Sequence, residues 1–384
     1  MPLPKPQGVK PLQGIRVVEL ARVLAGPWCG QLLADLGAEV VKVERPGVGD
    51  DTRSWGPPFI AGADGENLGA AYYHSTNRGK SGVAIDIATA EGQAEVRALI
   101  AGADVVIENY KLGGLAKYGL DPATLRADFP KLIVCSITGF GQTGPYAHRA
   151  GYDFIIQAMG GAMSLTGEPG GAPQKAGIAY ADIFTGMYST VAILAALRRR
   201  DVTGPEDGGG AHIDMALLDC QVGVLANQAA NYLASGVSPK RMGNGHANVV
   251  PYQAFATADG QLVIAVGNDG QFRKLCAVLG EPAWAEDVRF ATNAARLANR
   301  AALIPLLAAK IATWEALSLS LALEAEDVPA GPINDLAGVF ADPQVIARGM
   351  RFRPEGAFVE GVASPIVIDG ERMVAPGGAP VLGG

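Results

Sequence analysis

Two short apolar runs near the N-terminus, residues 14–20 (GIRVVEL) and 38–44 (AEVVKVE), bracket a stretch of helical character, 26–36 (GPWCGQLLADL), that stops at Gly37. Paired valines give both flanks the β-branched content of strands, and the middle combines good helix formers with a glycine stop. A strand returned through a helix to a second strand runs parallel to it, because an antiparallel partner needs no more than a hairpin. That βαβ unit constrains the chain more than any other feature, since it excludes an all-β sandwich and a helical bundle alike. It predicts an α/β fold with a mostly parallel sheet. The pattern continues with a helical period over 91–101, a strand at 104–108 (DVVIE) and, after LRADFP, a strand within LIVCSITGF, 132–140.

Beyond that point the punctuation changes. Residues 139–177 hold GFGQTGP and MGGAMSLTGEPGGAP, read as loops around a helix over YDFIIQAM; loops of this kind often line a site. Residues 184–200 are apolar almost all round and end in three arginines, as suits a buried helix with a charged exit. DVTGPEDGGG, 201–210, is the clearest break, and a further helix is expected over 214–233. YQAFATADGQLVIAV then reads as a hairpin turning at Asp259-Gly260, and a smaller α+β domain begins near residue 245 with helices in GQFRKLCAVLG and RAALIPLLAAKIATW. PAGP, 329–332, marks its exit.

The 384 residues, 49% hydrophobic and 18% charged, are enough for a large buried core. A net charge of −7 without a long basic block repels a phosphate backbone, so nucleic acid is not an expected partner. Apolar runs such as 190–197 fall short of a membrane span, the N-terminus has prolines and charges where a signal peptide needs an apolar core, and a cytoplasmic, membrane-free protein is expected. Cys29, Cys135, Cys220 and Cys276 are scattered without CxxC spacing, which suits reduced thiols rather than a metal site.

Familiar motifs fail in turn. The turn after the first strand, ELARVLAGPW, lacks GxGxxG, so Glu44 at the end of the second strand does not make a nicotinamide site. NRGKSG contains the GKS of a P-loop, but His74 stands where its first glycine belongs, which removes nucleotide hydrolysis. His74, His148, His212 and His246 form no HExxH or close pair, and GxSxG is absent. What remains is Asp182 in ADIFTGMYS. An acid before a helix is a preferred cap, and the same placement leaves a carboxylate oriented and accessible to a carbonyl; local sequence supports both roles.

The ordered set PLQGIRVVELARVLAGPWCGQLLADLGAEVVKVERPGVGDDTR, NRGKSGVAIDI, VVIENYKLGGLAKYG, SITGFGQTGP, GYDFIIQAMGG and ADIFTGMYS resembles the family III CoA-transferases, and the similarity continues through RMGNGHANVVPYQAFATADG. The resemblance implies a Rossmann-like large domain with a smaller α+β domain in an interlocked homodimer. The implied layout is 1–220 for the first part of the large domain, 221–245 as linker, 246–325 as the small domain and 326–384 as a return segment completing the large one. It implies Asp182 as the acyl-accepting nucleophile. CoA is expected near Arg22, Val23, Ala25, Arg45, Ile85, Asp86, Ile87, Asn109, Tyr110 and Lys117, with Arg45 and Lys117 suited to phosphate. Phe140, Tyr152, Gly160, Gly161, Gly243, Asn244, Gly245 and His246 are the expected substrate-pocket residues, Gly160 and Gly161 as oxyanion donors. The partners implied are acyl-CoA, a small carboxylic acid with dicarboxylates among the candidates, and a second copy of the chain, with no metal.

Leu24, Thr138 and Phe140 stand where the formyl-CoA transferase branch has glutamine, lysine and tyrosine, which argues against formyl or oxalate specificity. Two alternatives stay open. The related alpha-methylacyl-CoA racemases share the aspartate but use the histidine of a GHD motif, where this chain has Gly151-Tyr152-Asp153; a phenol with a pKa of about 10 exchanges protons poorly at neutral pH. A non-catalytic CoA-binding protein is the other.

Overall fold

The structure, a computed structural model, describes residues 9–203 and 209–383. Part of the expected break at 201–210 therefore lies outside the described residues. The chain divides into two compact units: the first takes the residues up to Ala162, Lys175–Ala226 and the residues from Pro343 on, and the second takes Met163–Gln174 and Asn227–Asp342.

The first unit is built on strands β1 (Arg16–Glu19), β2 (Glu39–Glu44), β5 (Ser81–Ala84), β6 (Val105–Glu108), β7 (Ile133–Thr138) and β8 (Ala211–Ala216), with β3 (Phe59–Ala61) and β4 (Asn67–Ala70) forming a separate antiparallel pair. The six strands form one sheet in the order β5-β2-β1-β6-β7-β8, and every neighbouring pair is parallel. Strand order reverses between β1 and β6, so the connections leaving these two strands diverge and open a crevice at their carboxyl ends.

Both faces of the sheet are covered, which is why the strands read as nearly continuous apolar runs. Val17, Val105, Ile107, Ile133, Cys135 and Ile137 meet Cys29 and Leu33 of α1 (Ala25–Asp35) and Ile193 and Leu197 of a long helix, Tyr180–Thr203. Val18, Val106 and Val134, one residue out of step, meet Val96 and Ile100 of α3 (Ala90–Ala101) and Leu125 of α4 (Pro122–Asp128). The remaining helices here are α2 (Ala71–His74), α5 (Asp153–Met159), the long helix as α7, and α8 (Leu217–Gly223), while the one-turn α6 (Ala162–Leu165) starts at the unit's last residue before the chain passes to the second. At 24 residues α7 is long and apolar enough to cross a membrane by length and composition, a test that core helices also pass; Ala181, Thr185, Ser189, Ile193 and Leu197 are buried in this unit.

One expected element is corrected. The helix anticipated over 214–233 begins as strand β8, and its remainder is two helices, α8 and α9 (Ala226–Ser235), broken where Ala226 takes a φ of 45°. Pairing to β7 from Ile133↔Ala211 to Thr138↔Ala216 overrides the helical preference of DMALLD, because the sheet edge offers a full ladder of hydrogen bonds.

The second unit carries the antiparallel sheet β11-β10-β9, with β9 (Tyr252–Ala256) and β10 (Gln261–Ala265) as the expected hairpin and β11 (Ala330–Pro332) at the far edge. Phe255, Leu262 and Ile264 pack against Phe272 and Leu275 of α10 (Asp269–Val278), with Leu303, Leu307, Leu319 and Leu323 from the later helices closing the core. Arg296 is wholly buried there, satisfied by the carbonyls of Val250 and Phe290 and by the Asp269 carboxylate.

Candidate active site

Asp182 lies in the first turn of α7, and the cap of that helix is a different residue. Asp153, at the start of α5, sets Oδ1 2.9 Å from the Ala181 N–H and 3.4 Å from the Asp182 N–H, while its Oδ2 accepts a 2.6 Å bond from Gln157 Nε2. The open N–H groups of α7 are thus satisfied from another helix. Asp182, already inside the helix, is released from that task. Among the described residues no donor and no cation engages its carboxylate, and burial followed by the charge of Asp153 pushes its pKa up to about 7. Accepting the helix N–H bonds as a cap would favour the ionised form of this group; a neighbouring cap of the same charge does the opposite.

Packing fixes where that carboxylate stands. Asp182 and Gly186 share a helix face one turn apart. A Cβ on Gly186 would sit 2.7 Å from the Ala25 oxygen and 3.0 Å from Trp28 Cβ, so only glycine lets α7 approach the first turn of α1. Asp182 is thereby held against the loop from β1 into α1. That helix starts at Leu24–Ala25 without a side-chain cap, which leaves its first N–H groups available to an anion.

The loop itself is clamped by buried charge. Val23 takes a φ of 73°, a strained choice for a β-branched residue, and both Asp50 oxygens lie 3.2 Å from its N–H. Lys42 Nζ pairs with Asp50 at 3.0 Å and donates to Glu19 at 3.0 Å and to the Ala21 carbonyl at 2.9 Å. Lys80 pairs with Glu19 at 2.8 Å and donates to the Pro27 carbonyl at 2.8 Å. Burial works against all of these ions, yet Lys42 holds Asp50 below its ordinary pKa, and Glu19 and Asp50 hold Lys42 above its own. Lys80 is the weaker partner, brought down by burial to about 8. The lysine of NRGKSG, which mimics a phosphate loop, is therefore committed to the core. On the other side of the crevice, Asn109 accepts from the Arg22 N–H at 2.9 Å and donates to its carbonyl at 2.6 Å, tying the ends of β1 and β6 together.

These elements enclose a cavity of about 450 Å³ at the carboxyl ends of β1, β6 and β7. Of the expected residues, Arg22, Val23, Ala25, Asn109, Tyr110, Lys117, Tyr152 and Asp182 line it together. Arg45 follows β2 and Ile85, Asp86 and Ile87 follow β5, so they continue the same edge of the sheet outside the cavity lining. Phe140 is buried behind the wall, edge to face with Tyr146. Gly160 and Gly161 do not line the cavity: the Gly160 N–H is spent on the Ile156 carbonyl in closing α5, and Gly161, at a φ of 87°, makes the following turn beside Leu225. Gly243, Asn244, Gly245 and His246 belong to the second unit, where the Gly243 N–H bonds to the Gly167 carbonyl, His246 Nδ1 accepts from the Asn248 N–H and the His246 ring lies 5.1 Å from Tyr252.

Several residues escaped the sequence reading. Asp153 stands in the GYD triplet, inspected there for its missing histidine rather than for its aspartate. Asp51, Lys111 and Arg149 also line the cavity, and Tyr72 is near enough to Asp182, Asp153 and Asp50 that their charges add to burial in pushing its hydroxyl to about 12. Glu19 and Lys42 did leave a signal: charges of opposite sign beside the valines of two buried strands, directly opposite one another once the strands are in register.

A family model described as CoA-transferase family III matches residues 12–384. The chain is 57% identical over its whole length to a succinate–glutarate CoA-transferase of Agrobacterium fabrum, of which it covers 94%. It is 45% identical over 89% of its length to a succinyl-CoA:glutarate CoA-transferase of Mus musculus, covering 76% of that protein. A crystal structure of a CAIB/BAIF family protein from Brucella suis superposes with a TM-score of 0.86 at 59% identity, covering 97% of either chain.

Proposed function

The chain belongs to CoA-transferase family III and is a CoA-transferase, and from that premise we propose that it moves CoA from succinyl-CoA to a dicarboxylic acid, glutarate above all, with Asp182 as the nucleophile. The observation that carries this reading is the state of the carboxylates in the cavity wall. Of the two among its described residues, Asp51 is paired with Arg22 at 2.8 Å, whereas Asp182 has no cation and a pKa pushed up to about 7. A carboxylate without donors keeps its lone pairs for a carbonyl carbon.

In the proposed cycle the Asp182 oxygen attacks the donor thioester; the C–O bond of a mixed anhydride forms as the C–S bond breaks, and CoA leaves as thiolate. The thiolate attacks the aspartyl carbonyl, forming an aspartyl thioester and expelling the donor acid as carboxylate. The acceptor carboxylate then displaces the thiolate from Asp182, giving a second anhydride, and the thiolate takes the acceptor acyl group and frees Asp182. Every step exchanges one acyl bond for another of similar energy, no proton is gained or lost, and no ATP is consumed. An aspartate suits this because an ester of serine would be too stable to return its acyl group to a thiol. The uncapped start of α1 is a source of N–H groups for the tetrahedral oxyanions. The residues following β1, β2, β5 and β6 offer a continuous edge for the CoA moiety, with Arg45 and Lys117 for its phosphates. A homodimer is part of this proposal, checked by light scattering.

The test is exchange itself. Succinyl-CoA and glutarate should yield glutaryl-CoA and succinate, and hydroxylamine added with succinyl-CoA should convert Asp182 to its hydroxamate, located by peptide mass. Asp182→Ala should do neither; exchange surviving that substitution would overturn the assignment.

A further inference from the structure

The cations on the cavity wall fall into two groups. Arg22, Lys111 and Lys117 follow β1 or β6 and stand at the crevice where the strand order reverses. Arg149 comes from elsewhere. It belongs to the loop that leaves β7 and enters α5, and that loop is closed at its base: a Cβ on Gly139 would lie 2.6 Å from the Gly151 Cα. Four residues after Arg149 comes Asp153, whose carboxylate caps α7 and fixes Asp182. Arg149 is thus tied through its own loop to the reacting end of the cavity.

Its guanidinium is held over two rings without being neutralised. It lies over the Tyr146 ring at 4.7 Å and the Phe140 ring at 5.4 Å, and these two rings brace each other edge to face at 5.7 Å. Among the described residues no acid pairs with it, whereas Arg22 is already engaged by Asp51. An oriented guanidinium with free donors, facing the same cavity as Asp182, is built for a second anion.

A dicarboxylic acid brings one. When one of its carboxyl groups reacts at Asp182, the other carries a negative charge into a cavity whose reactive end already holds Asp182, with the charge of Asp153 close behind it. Resting on the dicarboxylate reading above, we propose that Arg149 binds the non-reacting carboxylate of the diacid and of its CoA thioester, and so selects diacids over monoacids. The planar fork of donors matches a carboxylate through two parallel bonds, and stacking on Phe140 and Tyr146 lowers the ordering needed to form them.

Steady-state kinetics with glutarate and butyrate as alternative acceptors tests this. If the wild-type enzyme forms no glutaryl-CoA from succinyl-CoA, the dicarboxylate reading itself fails, and Arg149 falls with it. Once glutaryl-CoA is observed, Arg149→Gln assayed with succinyl-CoA raised to saturation, because the donor carries the same free carboxylate, should raise KM for glutarate about 100-fold with kcat nearly unchanged, leave KM for butyrate and thermal stability as in the wild type, and erase the preference for glutarate. Arg149→Lys should recover part of the loss, because it restores the charge without the fork. A KM for glutarate within twofold of wild type in Arg149→Gln would overturn the proposal, as would an equal loss toward glutarate and butyrate.

Discussion

Two aspartates of the first unit, Asp50 and Asp182, share a residue type and proximity to the β1–α1 loop, Asp50 buried and Asp182 half-buried in the cavity wall, yet they are driven in opposite directions. Asp50 collects the Val23 N–H, the Thr52 N–H at 3.0 Å, the Thr52 hydroxyl at 2.8 Å and the Lys42 ammonium, and its pKa falls below the ordinary value although burial pushes the other way. Asp182 collects none of these, has Asp153 for a neighbour and rises to about 7. The difference teaches that burial by itself decides little; the donors around a carboxylate decide whether it becomes an anchor or a reagent. The first aspartate holds a strained backbone in place, and the second, with no donor or cation on its carboxylate, is the one proposed above as the nucleophile.

The largest expected effect breaks the reactive side of this pair. Asp182→Asn should lower exchange by at least ~10³-fold, since among the described residues no other cavity carboxylate is unpaired. The same substitution should stabilise the fold at pH 8. With the folded pKa raised above that of the unfolded chain, the wild-type group favours the native state below the unfolded value and loses that contribution as pH rises through about 7. The gain on removing it is about 2–4 kcal/mol at pH 8 and should shrink toward pH 4, as urea unfolding at the two pH values would reveal.

Breaking the anchoring side should run the other way. Asp50→Asn leaves Lys42 buried with one carboxylate instead of two and weakens the hold on Val23, at a cost of about 3–5 kcal/mol in urea unfolding at pH 8. One isosteric change, from acid to amide, is thus expected to stabilise at position 182 and destabilise at position 50. Equal signs at the two positions would remove the distinction.

A smaller effect sharpens the role of the neighbour. Because the cycle needs the ionised form of Asp182, kcat/KM should fall about tenfold per pH unit below pH 7. Asp153→Asn keeps an oxygen for the Ala181 N–H but removes the like charge, so the acid limb of the pH profile should move to lower pH. Its cost to stability, about 1 kcal/mol, comes from the Gln157 amide, which loses its acceptor at 2.6 Å.

Much of the scaffold was legible in the sequence, and the reasons are physical. GIRVVEL, AEVVKVE, DVVIE and LIVCSITGF became β1, β2, β6 and β7 because strands buried on both faces must be apolar on both faces. The edges were not legible. SGVA in β5 and AHIDMA in β8 flank the sheet, bury less and show no continuous apolar run, so their strand character comes from the ladder that β2 and β7 offer them. Asp182 was visible as a candidate through the order of the motifs around it, but its environment was not, because Asp153 and Tyr72 approach it, and Arg149 joins the same cavity, through folding rather than through spacing along the chain. The clamp of Asp50 on Val23 links residues 27 apart and joins two loops, where no periodicity exists to betray it.

That clamp yields the finest comparison, between two small residues at position 23. Glycine ordinarily destabilises relative to alanine by about 0.5–1 kcal/mol, because the unfolded chain has more freedom to lose. At Val23 the order should invert. A φ of 73° costs an L-residue about 1–2 kcal/mol and glycine almost nothing, and both substitutions remove the same partly buried side chain apart from one methyl group. Val23→Gly should therefore be more stable than Val23→Ala by up to about 1 kcal/mol in urea unfolding, provided Asp50 still holds the N–H in place. In the Asp50→Asn background the loop is freer to relax toward an ordinary φ, and the advantage of glycine should shrink or reverse. A glycine advantage of the same size in both backgrounds would show that the strain at Val23 does not depend on the buried aspartate at all.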